Sequence, residues 1–153
     1  MEDAIRAAES AYDNTDLFIY AGGNSLLPIG EEATVECIES GVRRISGANG
    51  RINNTVICSI APRMRASRIF KDMRLKTNRL IKDRVEELAR EGIWISFLDL
   101  DLDLLDDAFY KEDGVHLNEG GVRVMGRCML REVGRLAKPP SGGRALPQRR
   151  RLR

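Results

Sequence analysis

The chain has 153 residues, of which 42% are hydrophobic and 31% charged, and its formal net charge is +2. That length suits one domain with a substantial core, and the composition excludes a wholly disordered or collagen-like chain. No apolar run approaches the roughly 20 residues of a membrane-spanning helix, and Met1-Glu2-Asp3-Ala4-Ile5-Arg6 holds no signal-peptide core, so a cytoplasmic protein that does not span a membrane is expected.

In chain order, residues 2–12 read as a helix feeding a first strand, Asp16-Leu17-Phe18-Ile19-Tyr20-Ala21, which runs directly into Gly22-Gly23-Asn24-Ser25. Residues 31–45 then place Ala33, Cys37, Ile38, Val42 and Ile45 on one helical stripe. A second strand follows in Thr55-Val56-Ile57-Cys58-Ser59-Ile60. The helix over 67–91 carries Leu80, Ile81, Val85 and Leu88 on its apolar face and charges on a solvated one, and Gly92 supplies a left-handed cap. The third strand is Ile93-Trp94-Ile95-Ser96-Phe97-Leu98, and residues 119–136 form a closing helix. All three strands are continuous apolar runs rather than alternations, as in a parallel sheet covered on both faces. The order α-β-α-β-α-β-α predicts an α/β fold, a three-layer α/β/α sandwich over residues 1–137.

The cysteines, Cys37, Cys58 and Cys128, are odd in number and have neither metal nor redox spacing, so they read as reduced core residues. Asp99, Asp101 and Asp103 alternate like the start of a calcium loop, but Leu104 and Tyr110 stand where that loop needs glycine and glutamate. No metal and no cofactor is expected. From Lys138 to Arg153 there are six basic residues and no acidic one, among prolines and glycines, which reads as a disordered basic tail.

In a parallel sheet the site forms beyond the carboxyl ends of the strands. Two elements fall there. Gly22-Gly23-Asn24 follows the first strand, and Asp113-Gly114-Val115-His116-Leu117-Asn118 lies in the connection after the third. His116 is the sole histidine. A carboxylate three residues earlier can fix its tautomer and stabilise the imidazolium, which makes the pair a candidate base and orienter; a solvated loop histidine beside a helix-capping aspartate is the other reading.

These two segments resemble the SGNH (GDSL-type) hydrolase superfamily. Asp16 to Asn24 is similar to the family's third block, Gly-x-Asn-Asp, and Asp113-Gly114-Val115-His116-Leu117-Asn118-Glu119-Gly120-Gly121 is similar to its fifth, Asp-x-x-His. The resemblance implies a flavodoxin-like fold and hydrolysis of a small-molecule ester by a serine nucleophile. On it, His116 would be the general base, Asp113 would orient its ring, and Asn24 would donate its side-chain amide to the oxyanion. Gly22 would allow the tight turn of the loop Gly22-Gly23-Asn24. The chemistry fits: a serine hydroxyl needs a base, and each preorganised oxyanion donor is worth roughly 3–4 kcal/mol.

The departures from the family pattern are as specific. No Gly-Asp-Ser occurs in the sequence, so the nucleophile block and the family's first two strands have no counterpart. Ser25 stands where the family has aspartate; it could serve as a relocated nucleophile only if a base reached it. The first strand then has an open edge, which predicts a chain that is marginally folded, self-associated through residues 16–21, or completed by another polypeptide. A competing reading is an inactive, truncated pseudo-hydrolase kept for protein or nucleic-acid interaction. Similar esterase-like domains occur in the first reading frame of some LINE-type retrotransposons. There the tail residues Arg144, Arg149, Arg150, Arg151 and Arg153 would bind phosphates weakly and without sequence preference, or simply solubilise the chain.

Overall fold

The structure is a computed structural model and describes residues 2–10, 15–48 and 52–137. Its elements are α1 (Glu2–Glu9), β1 (Thr15–Ile19), α2 (Leu26–Ala48), β2 (Ile52–Cys58), α3 (Arg68–Arg90), β3 (Ile95–Leu98), a short 3-10 turn (Asp107–Phe109) and α4 (Glu119–Leu136). The three strands form one parallel sheet in the order β1-β2-β3. The basic tail 138–153, with its candidate phosphate-binding arginines, lies outside the described residues.

Alternation along β2 divides the interior. Ile57 faces a core of Ile5 from α1, Val35, Ile38, Val42 and Ile45 from α2, and Phe70, Ile81, Val85 and Leu88 from α3. Val56 and Cys58 face the opposite way, into a second core with Leu98, Leu100, Leu104 and, from α4, Val124 and Cys128. Helices therefore cover both faces, which is what continuous apolar strands require, because every strand residue then meets a nonpolar layer. Fully burying one such aliphatic side chain is worth about 1.5–3 kcal/mol.

The helix boundaries follow local chemistry. Gly30 (φ 81°, ψ 179°) separates a first turn of α2 from its main body, where the predicted helix begins. Ser67 caps α3, its hydroxyl accepting the Phe70 N–H at 3.2 Å. At the other end Gly92 has φ 92°. The N–H groups of Gly92 and Ile93 return to the Ala89 and Leu88 carbonyls at 3.1 Å each, a Schellman closure. Asn118 caps α4, accepting the Gly121 N–H at 3.0 Å.

Three expectations change. Cys37 is exposed, so only Cys58 and Cys128 are core cysteines. Residues four apart drift on a 3.6-residue helix, and Val35 takes the interior position beside Ile38 instead. Arg74, within the run read as a solvated face, is 6% exposed and donates to Asp101 at 2.5 Å and to the Ile60 carbonyl at 3.0 Å. The stripe of charges thus includes one member of a buried ion pair, and Asp101, one of the alternating aspartates, is the partner of Arg74. Finally, β2 starts three residues earlier than its apolar run, with Asn54 donating to Asp16 across the β1 pairing at 2.8 Å.

Candidate active site

Each strand ends in a loop on the same rim of the sheet, and the three loops are tied together. After β1 the chain turns at Gly22, whose φ is 97°. A Cβ there would lie 3.0 Å from Ile60 Cδ1 and 3.2 Å from Thr34 Cγ2, so both the backbone conformation and the space demand glycine. The Gly22 carbonyl accepts the N–H groups of Ser25 and Leu26 at 3.1 and 3.0 Å, which starts α2 and leaves Asn24 exposed at the turn's tip.

After β2, Asn78 clamps the Ile60 backbone from α3. It accepts the Ile60 N–H at 2.8 Å and donates to the Ile60 carbonyl at 3.1 Å. The chain then passes through Ala61, Pro62 and Arg63. Arg63 Nη2 donates to the Gly23 carbonyl at 2.7 Å and to Asn24 Oδ1 at 2.8 Å, and its guanidinium lies 4.7 Å from the centroid of the Phe70 ring. The next residue, Met64, donates its N–H to the Gly114 carbonyl at 2.8 Å. One short loop therefore holds both motifs named in the sequence.

After β3, Tyr110 and Leu117 form an antiparallel bridge that closes the Asp113 loop at its base. The Tyr110 hydroxyl donates to the Leu104 carbonyl at 3.0 Å, and burial pushes that phenol up to about 12. Inside the loop, Asp113 Oδ1 accepts the N–H groups of Val115 at 2.8 Å and His116 at 2.9 Å. Its Oδ2 lies 2.7 Å from His116 Nδ1. These bonds, the imidazole contact foremost, hold the Asp113 carboxyl well below the usual carboxylate range. An ionised carboxylate can only accept, so Nδ1 is the donor in this contact and Nε2 is the ring nitrogen left free of it. The ring is well exposed, with 73% of the side chain accessible.

Between the second and third loops opens a cavity of about 190 Å³, lined by Leu27, Arg63, Arg65, Phe70, Asp113 and Val115 among others. The sequence-predicted residues thus divide cleanly. Asp113 and His116 are in direct contact, and Asn24 is joined to their loop through Arg63 and Met64. Gly22 and Gly23 form the turn that carries Asn24. Ser25 is half-buried beside it, and no hydrogen bond joins its hydroxyl to His116 among the described residues. Arg63 was not visible as a site residue in the sequence. Its only signal there is position: an arginine in a short proline-containing loop past the carboxyl end of the second strand.

No family profile and no curated protein matches this sequence. Among solved structures, one from Streptococcus pneumonia described as a candidate platelet activating factor is similar, with a TM-score of 0.59 and 16% identity. The match takes in 77% of this chain and 59% of that one, so this chain spans less than two thirds of the neighbour's length. At that identity the likeness bears on architecture, and it agrees with the sheet and layers described above: the chain has a flavodoxin-like α/β/α fold.

Proposed function

We propose that this chain is an ester-hydrolase-type domain of the SGNH kind. His116 acts as general base through Nε2, Asp113 orients and stabilises its imidazolium, and Asn24 donates its side-chain amide to the developing oxyanion. The observation that carries the reading is the 2.7 Å contact between Asp113 Oδ2 and His116 Nδ1, made by a carboxylate whose other oxygen is already fixed by two backbone N–H groups. That double anchoring sets the ring tautomer without using the nitrogen that must take a proton. The convergence of the Asn24 and Asp113 loops on Arg63 and Met64 supports it further.

A second reading, a non-catalytic relative kept for interaction, is favoured by one specific fact: the sequence holds no Gly-Asp-Ser. Within the given sequence, Ser25 beside Asn24 is the candidate source of the hydroxyl. Fluorophosphonate labelling, read by intact mass on the chain and on His116→Ala, separates the readings. Stoichiometric labelling that disappears in the variant supports a serine activated by His116, and peptide mapping then tests Ser25. A chain that stays unlabelled, with no turnover of p-nitrophenyl acetate above buffer, favours the non-catalytic reading.

A further inference from the structure

We infer that Arg63 is the positioning residue of Asn24: it turns the carboxamide so that its oxygen faces the β2–α3 loop and its NH2 is left free to donate to a ligand. Asn24 sits exposed at the tip of a turn, where an asparagine side chain ordinarily samples several rotamers. Its oxygen has one partner, Arg63 Nη2 at 2.8 Å, and among the described residues its NH2 has no acceptor. Arginine only donates, so the contact can be made by Oδ1 and not by Nδ2, and the flip of the amide is decided by chemistry. A positive charge bonded to the amide oxygen also polarises the group and strengthens the N–H as a donor.

The arginine is itself held. The same Nη2 binds the Gly23 carbonyl at 2.7 Å, so the side chain is tied to the backbone that carries Asn24 as well as to Asn24's own oxygen. Its guanidinium lies 4.7 Å from the Phe70 centroid, and Phe70 is 2% exposed in the core. A planar cation over an aromatic face is one arrangement a lysine cannot reproduce while also bridging two oxygens. Through Met64, the residue after Arg63, the same loop is bonded to Gly114, next to Asp113. Arg63 and Asp113 both line the cavity. The amide donor and the histidine's orienter therefore take their positions from adjacent residues of one loop.

What the amide is aimed at rests on the hydrolase reading, but its orientation is tested without turnover. The experiment is 15N relaxation of side-chain NH2 groups in the full chain, in Arg63→Ala and in Arg63→Lys. Asn78, which brackets Ile60, and Asn118, which donates to the Ala108 and Tyr110 carbonyls, serve as internal reporters of the fold. In the parent the Asn24 order parameter is expected near that of rigid backbone, about 0.85, and in Arg63→Ala below about 0.6. Asn78 and Asn118 stay unchanged, and Arg63→Lys restores Asn24 only in part. An Asn24 amide equally ordered in Arg63→Ala overturns the proposal, as does loosening of all three amides together. If Arg63→Ala does not fold, the same comparison is made with Arg63→Lys. Labelling that persists while Asn24 order is unchanged defeats this inference alone. Loss of Asn24 order in a chain that hydrolyses nothing leaves it standing and defeats the hydrolase reading.

Discussion

Gly121 offers the sharpest test of how the site is built, because it lies at the joint between α4 and the Asp113 loop. A Cβ on Gly121 would fall 2.3 Å from the Phe109 carbonyl oxygen and 2.9 Å from Leu117 Cδ2. Ordinary contact requires more than a further ångström, and the nearest atom is backbone, which cannot swing aside as a side chain can. The same Phe109 carbonyl accepts the Asn118 N–H at 3.0 Å, so moving it strains the cap of α4 as well. Overpacking of this kind costs roughly 1–3 kcal/mol, with the upper end expected against backbone. The lost bond adds about 1 kcal/mol. Against this, replacing glycine by alanine inside a helix gains about 1 kcal/mol. Gly121→Ala is therefore expected to destabilise by roughly 2–3 kcal/mol, near 6–9 °C in Tm for a domain of this size. Gly126 in the same helix meets nothing within 4 Å, so Gly126→Ala is the control and should gain up to about 1 kcal/mol. Urea denaturation followed by far-UV circular dichroism measures both. A Gly121→Ala midpoint at or above the parent's would refute the packing argument.

Other outcomes follow from the same coordinates. Removing Asp101 leaves the Arg74 guanidinium buried with only the Ile60 carbonyl, so Asp101→Ala should cost about 2–3 kcal/mol in urea unfolding, below the value for a fully buried pair because Asp101 is partly solvated. Arg74→Met should cost less, since Asn78 still serves that carbonyl; the reverse order would discredit the pair as a packed unit. Asp113→Ala should speed hydrogen exchange at the Val115 and His116 amides, which lose their common acceptor. The Asp113 carboxyl is lowered on folding, so its ordering of the loop is complete above the ordinary carboxylate value of about 3.9 and fades only as pH falls below that toward the folded value; protection lost already near pH 6 would contradict this. A maleimide should modify Cys37 in the native chain and spare Cys58, whose thiol burial pushes up to about 12, until denaturant is added. With β1 at the edge of the described sheet, sedimentation should reveal concentration-dependent self-association, and a monomer across the accessible range would dispose of pairing through residues 16–21.

Much of the architecture was legible because strands covered on both faces leave unbroken apolar runs, and because Gly92 marks its helix end by backbone chemistry alone. The Asp113–His116 pair was legible for a similar reason: three-residue spacing lets one side chain serve its own loop and a neighbouring ring. What the sequence hid depends on contacts between distant segments. Nothing around Arg74 distinguishes it from the exposed charges of the same helix until Asp101 arrives from beyond β3. Arg63 is a similar case, defined by Gly23 and Asn24 forty residues earlier. The early start of β2 depends on Asn54 meeting Asp16 across two strands. Cys37 differs for another reason: its residue type suggests an inward position, but the helical angle points it outward.

The placement of the candidate residues separates chemistry from stability. Asn24 is exposed, and the Asp113 and His116 side chains are 48% and 73% accessible, so none of the three carries the core. Their positions come from other residues: the left-handed Gly22, the Gly121 contact under the Asp113 loop, and an arginine anchored on a core phenylalanine. Substituting His116 should thus leave the unfolding midpoint near that of the parent while removing the proposed base. Substituting Gly121 should disturb both, because the carbonyl it displaces also holds the turn between the loop and α4. A site arranged this way can lose its reactive side chains one at a time without unfolding. Asn24, Asp113 and His116 are not demanded by the core, so replacing each of them tests chemistry separately from stability.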